Sequence, residues 1–259
     1  MQSDIETKAY NIYLEQMITA NEGFWRDAPL FADHSKVYRI QDNFSDTAGL
    51  AGATGWAIAA DADNVVTAAH NIRGGVNLET DGDDNDELYH YSRGSIVQFK
   101  DLVPVWFEVV LNVETALADM SMAVGVSDGG TAVDAAIPGN FLTHDAGAMI
   151  SPHDGAIFHI SAASTGQVQF HVSNAAVQAN SNVGTVTAGT DFRVGFKWDG
   201  EGTLTPWMNG RPYATASFTP ASSLMNIVFG VKTHADAAAV IEAANLDVII
   251  DRRNDPTLV

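Results

Sequence analysis

The chain has 259 residues, no cysteine, and 13 basic against 32 acidic side chains, a formal net charge of −19. The lack of thiols excludes disulfide scaffolds, thiolate metal centres and cysteine nucleophiles. The negative charge opposes binding to nucleic acid or to an anionic membrane surface. Acid is supplied by 23 Asp and only 9 Glu. Asp suits turns and caps whereas Glu suits helix interiors, so with 22 Gly the composition reads as all-β and rich in loops. No apolar run reaches the roughly 18 residues that a membrane-spanning helix needs. The opening Met-Gln-Ser-Asp-Ile-Glu carries acid where a signal peptide carries base, so no secretion signal is expected.

In chain order, a helix is expected first. Ser3-Asp4-Ile5-Glu6 is a capping box, residues 4–21 contain neither Gly nor Pro, and Gly23 is a stop. At 100° per residue Ile5, Ala9, Ile12, Tyr13 and Ala20 fall together. Tyr10, Leu14, Met17 and Ile18 widen that sector past half the circumference, leaving a polar strip of Lys8, Asn11, Glu15 and Thr19. A helix lying on one body needs a narrower stripe. Two readings follow: a helix docked on its own domain, or an arm buried between that domain and a neighbour. Residues 24–42 read as an irregular tether anchored by aromatic side chains, Phe24 and Trp25 among them. On the second reading the partner-contact residues are Ile5, Ile12, Tyr13, Leu14, Met17, Ile18, Phe24 and Trp25.

Strand signals begin beyond residue 42. The expected strands are Trp56–Ala59, Val65–His70, Val76–Thr80, Leu88–Tyr91, Ser95–Phe99, Val103–Val113 and Met120–Ser127. They continue with Ala156–Ser161, Gln167–Val172, Asp191–Trp198, Leu204–Met208, Tyr213–Phe218, Ile227–Thr233 and Leu246–Asp251. Between Leu204–Met208 and Arg211-Pro212-Tyr213 stands Asn209-Gly210, the pair a type I′ turn demands because both central residues need positive φ. Pro206 and Pro212 cannot donate to a ladder, so an edge or a bulge is expected there. The expected organisation is an arm over residues 1–42 and one sandwich domain over 43–259.

Several dipeptides and strand pairs carry a resemblance. Asn43-Phe44 with Gly55-Trp56 resembles the first strands of concanavalin A-like (laminin-G-like) jelly rolls. Gly75–Gly82 with Asp84-Asn85-Asp86 is similar to a strand and loop of their phage members. Trp106-Phe107-Glu108-Val109 with Ala123-Val124-Gly125-Val126 resembles their paired core strands. Phe196–Gly200, Trp207–Gly210 and Leu246–Asp251 complete the pattern over roughly residues 42–253. The resemblance implies an all-β antiparallel jelly-roll β-sandwich, here with an N-terminal helical arm. Phage members of this fold serve as head decoration or fibre parts, and other members are lectins, glycoside hydrolases and polysaccharide lyases, so fold alone does not choose among them.

The candidate chemistry is sparse. A sandwich glycosidase needs two carboxylates flanking the scissile bond, and the Glu-x-Asp-x-x-Glu string that supplies them is absent. Glu108, the only acid inside its strand, reads as a solvent-facing or paired strand carboxylate in preference to a catalytic acid. Tyr89-His90-Tyr91 could imitate a lyase Tyr/His pair or be an ordinary half-buried strand. His144-Asp145 and His153-Asp154 frame a Gly/Ala-rich loop, and neither metalloprotease spacing nor a nucleophile elbow occurs. Asp81, Asp83 and Asn85 alternate as calcium ligands do. However, Asp86 stands where the helix-loop-helix pattern needs Gly, and Ser92 where it needs a bidentate Glu. A solvated acidic turn is therefore favoured, and no cofactor is expected. Trp207 beside Asn209 could stack a sugar, or simply pack.

The leading expectation is a non-enzymatic decoration (cement) subunit on the outer head surface of a tailed phage, assembled in the host cytoplasm. It would bridge the major capsid protein and copies of itself, a homotrimer being consistent with closed symmetry. The alternative is a carbohydrate-binding, lectin-like module on a fibre or head surface; a polysaccharide lyase or hydrolase ranks third.

Overall fold

A computed structural model of the chain describes residues 24–25, 27–29, 36–44, 55–60, 65–68, 75–83, 86–129, 154–164, 166–174, 177–219, 223–234 and 236–255. Their regular structure is sixteen strands and one three-residue 3-10 turn. The strands are β1 (Val37–Asp42), β2 (Trp56–Ala60), β3 (Val65–Ala68), β4 (Val76–Glu79), β5 (Glu87–Ser92), β6 (Val105–Val113), β7 (Met120–Ser127) and β8 (Gly155–Ile160). After the turn come β9 (Gln167–Asn174), β10 (Val177–Thr185), β11 (Phe192–Trp198), β12 (Thr203–Met208), β13 (Arg211–Pro212), β14 (Ala216–Ser217), β15 (Asn226–Thr233) and β16 (Val240–Asp251). The expected helix over 4–21 lies outside the described residues, which contain no α-helix.

The strands form two antiparallel sheets. One has nine strands in the order β13-β12-β11-β6-β16-β4-β3, with β1 also on β16 and β14 also on β12. The other has seven, in the order β10-β9-β8-β7-β15-β5-β2. Period-two alternation decides which side chains meet. Along β6, Val105, Phe107, Val109, Leu111 and Val113 point inward, while Trp106, Glu108 and Asn112 face out. Along β7, Met120, Met122, Val124 and Val126 point inward. These inner faces make one core that includes Phe99, Phe158, Phe170, Phe196, Trp198 and Phe229, all fully buried.

The Asn209–Gly210 hairpin forms as expected, with φ of 50° and 76° at its two central residues and Met208 paired to Arg211. Pro206 sits on β12 between the short stretches that pair with β13 and β14, so its missing N–H interrupts no ladder. Ser95–Phe99 is not a strand, and Val97 makes only an isolated bridge to Met225. Val37–Asp42, expected as tether, is strand β1, paired residue for residue with the last six positions of β16. Strand β10 carries no signal because Asn180, Ser181 and Asn182 replace the apolar alternation; hydrogen bonding to β9 holds it instead.

Candidate functional site

Strand β4 runs into the acidic loop, where carboxylate oxygens of Asp81, Asp83 and Asp86 all lie within 4.8 Å of one another. The loop is knitted to itself. Asp83 N–H donates to Asp81 Oδ1 at 3.0 Å, and a hydrogen bond with Asp86, reinforced by that amide, holds the Asp81 carboxyl below its ordinary range. Three hard oxygen ligands suit a calcium ion in kind, but the cluster is equally an Asx-type turn. Asn85, the third expected ligand, lies outside the described residues.

Histidines are distributed by strand alternation rather than gathered. His90 points into the core, stacked on Trp56 at 4.8 Å and beside Phe44 and Phe229. Its neighbours Tyr89 and Tyr91 lie on the opposite face, so no Tyr/His lyase pair forms. Desolvation lowers the His90 pKa to about 4. On the outer face of the seven-stranded sheet, His159 and His171 meet edge to face at 5.3 Å. Burial, then repulsion from His171 and His234, lowers His159 to about 3, and burial lowers His171 to about 4. The same face carries a buried ion pair, Lys232 Nζ to Glu87 Oε1 at 2.8 Å, with Tyr89 Oη donating to Glu87 Oε2 at 3.1 Å. Ser121 Oγ and His234 Nε2 are hydrogen-bonded at 2.8 Å. His144 and His153 lie outside the described residues.

The outer face of the nine-stranded sheet gathers the aromatic groups. Register lines up Trp207, Gly195, Glu108, Asp247 and Gln41 as one transverse row across β12, β11, β6, β16 and β1. Phe24, Trp25 and Ala28 pack against this face. Phe24 packs edge-on to Trp207 at 5.5 Å and to Trp25 at 4.8 Å, and Trp25 Nε1 donates to Glu108 Oε2 at 3.0 Å. Val37, Trp106 and Ile249 complete the cluster, and Lys197 Nζ lies 5.4 Å above the Trp106 ring. Arg39 clamps Asp247 through both carboxylate oxygens. Burial raises the Asp247 pKa, and Arg39 opposes that shift. The indole Nε1 atoms of Trp106 and Trp207 are buried without a hydrogen-bond partner.

Two expectations change here. Phe24 and Trp25, expected to touch a partner, are 1% and 2% exposed and packed on their own sheet. Glu108 is a paired carboxylate, as one of its readings held, but the fold sets a second carboxylate, Asp247, directly beside it. No sequence signal could reveal that neighbour, because the pair is made by register between strands far apart in the chain. Ile5, Ile12, Tyr13, Leu14, Met17 and Ile18 lie outside the described residues. Asn209 is committed to its turn, its Oδ1 accepting the Arg193 N–H at 2.9 Å.

No family model and no curated protein matches the sequence. Solved structures do match. The carbohydrate recognition domain of Emp47p superposes with a TM-score of 0.55 at 11% identity, over 84% of this chain and 98% of that one. A protein of unknown function from Shewanella oneidensis MR-1 gives a TM-score of 0.55 at 13% identity, over 84% and 87%. The binding domain of botulinum neurotoxin serotype D gives 0.53 at 11% identity, over 86% of this chain and 49% of that one. The fold is a jelly-roll β-sandwich. At these identities the likeness is one of architecture.

Proposed function

We propose that the chain is a non-enzymatic, lectin-like carbohydrate-binding module. The observation that carries this reading is the outer face of the nine-stranded sheet, where Trp207 and Trp106 stand beside buried carboxylates. Pyranose recognition needs such a combination, an aromatic face for the C–H groups and a few placed acceptors and donors for the hydroxyls. That similar architecture serves as a carbohydrate recognition domain in Emp47p supports it. The absence from the sequence of the Glu-x-Asp-x-x-Glu string, a nucleophile elbow or metalloprotease spacing supports the non-enzymatic part. The test is a glycan array probed with the full chain and with Trp207→Ala. Binding by the native chain that disappears in the variant supports the module; no binding by either sinks it.

A second reading, the phage-head decoration subunit, rests on the jelly-roll resemblance and on the broad apolar sector over residues 4–21. Its check is co-sedimentation with purified heads, lost on removing residues 1–22.

A further inference from the structure

We infer that the turn carrying Phe24 and Trp25 is a displaceable strap lying on a subsite for a neutral oligosaccharide, with Gly195 as its floor, Trp207 as its stacking wall and Glu108 as its hydroxyl acceptor. This rests on the carbohydrate-binding reading and gives it a place. Four observations converge on it.

Gly195 leaves a hole in the transverse row between Trp207 and Glu108. Phe24 fills that hole, its Cζ standing 3.0 Å from where a Gly195 Cβ would be. The Glu108 carboxylate takes a hydrogen bond from the strap's own Trp25 N–H, a donor that a sugar hydroxyl replaces like for like. The strap thus sets ring C–H groups against the floor and the Trp207 ring, and a donor against the carboxylate, the two kinds of contact a pyranose offers.

The third observation is the pair of indole N–H groups on Trp106 and Trp207, buried with no acceptor while the strap is in place. Phe rings would supply apolar surface there without burying a donor, and a buried unpaired donor is destabilising. Sugar oxygens are the acceptors these donors lack. The fourth is the slender outer hold on the strap. Asp27, 67% exposed at its side chain, pairs with Lys197 at 3.2 Å, and an exposed pair contributes little. Charge selects the ligand class. Glu108, Asp247 and a net charge of −19 repel uronic acids and sulfated glycans, while Arg39 is consumed by Asp247.

The experiment uses the full chain titrated by calorimetry with neutral gluco-, manno- and galacto-tetrasaccharides, alongside Phe24→Ala and Trp25→Phe. A strap that closes the site reduces apparent affinity by the fraction of time the site is open. Both variants are therefore expected to bind several-fold tighter than the native chain. Glu108→Gln, which keeps side-chain shape, is expected to bind more weakly without a lower melting temperature, and Trp106→Phe, which removes the indole N–H, is expected to bind more weakly. If Phe24→Ala does not fold, Trp25→Phe carries the test, since it keeps a six-membered aromatic ring and removes the N–H donated to Glu108. Unchanged affinity in folded strap variants, with native binding still abolished by Trp207→Ala, overturns the strap and leaves the carbohydrate reading standing. A Trp106→Phe variant that melts higher and binds as before also overturns the subsite. No sugar binding by any variant removes both.

Discussion

His90 lies almost parallel to Trp56, 15° between ring planes, and neither of its ring nitrogens has a hydrogen-bond partner. His159 likewise carries a buried Nε2 without one. Such imidazoles stay neutral in the fold and titrate normally once unfolded. With folded pKa values of about 4, 3 and 4 for His90, His159 and His171 against 6.5, the unfolded chain binds more protons between these limits. Stability is therefore full above about pH 6.5 and is lost progressively as pH falls towards 4. Thermal melts from pH 7.5 to 4 are expected to show this decline. His90→Phe is expected to flatten part of it and to raise the melting temperature at pH 7 by a few degrees. Replacing an unsatisfied buried polar ring with an apolar one of similar shape is stabilising, and about 1 kcal/mol moves a chain of this size by roughly 2–4 °C. A melt of the variant that falls with acid as steeply as the native one would refute this assignment.

Strand β16 shows what a single inserted residue does at the level of an element. Ile241 and Ala243 face the core, and so do Leu246, Val248 and Ile250. Strict period two from Ala243 would turn the next odd position inward and Leu246 outward, so one extra residue must be absorbed between the halves. Asn245 is that residue, exposed and at a φ of 51°, where the register with β6 shifts between Ala244 and Asp247. The bulge lets one strand serve two neighbours, β4 along its first part and β1 along its last six residues. Asn tolerates this left-handed conformation, whereas a β-branched residue does not. Asn245→Val is expected to destabilise by about 1–2 kcal/mol and Asn245→Gly to be nearly neutral, as read by urea unfolding. Equal effects of the two substitutions would show that backbone strain is not the cause.

For the whole molecule, an extensive core between two sheets is the main source of stability, and no metal is expected to be needed for folding. Protein groups tie down the acidic loop, Thr233 N–H donating to Asp86 O at 3.0 Å beside the Asp83–Asp81 turn. EDTA is expected to leave the melting temperature unchanged within a degree or so. A fall of many degrees would mean that a cation bound only by the native state contributes substantially.

What the sequence by itself determined is the class of structure and much of its local grammar. Alternation along Val103–Val113 and Met120–Ser127, and Asn209-Gly210 between two prolines, specify strand, face and turn because each depends only on near neighbours and their φ, ψ preferences. Polar β10 and the β1 segment, hidden after a tether, escaped because they owe their order to partners, β9 and β16, rather than to their own pattern. The candidate site was legible only as separate residues, Trp207 and Glu108, with Phe24 and Trp25 read as tether anchors and partner contacts. Tertiary structure alone decided that Asp247 stands beside Glu108, that Gly195 opens a hole between Glu108 and Trp207, and that Phe24 fills it. Those adjacencies arise from register across five strands and from a turn whose Trp25 meets an acceptor 83 residues further along the chain. Such long-range geometry is set by the collective packing of both sheets, and no local periodicity encodes it.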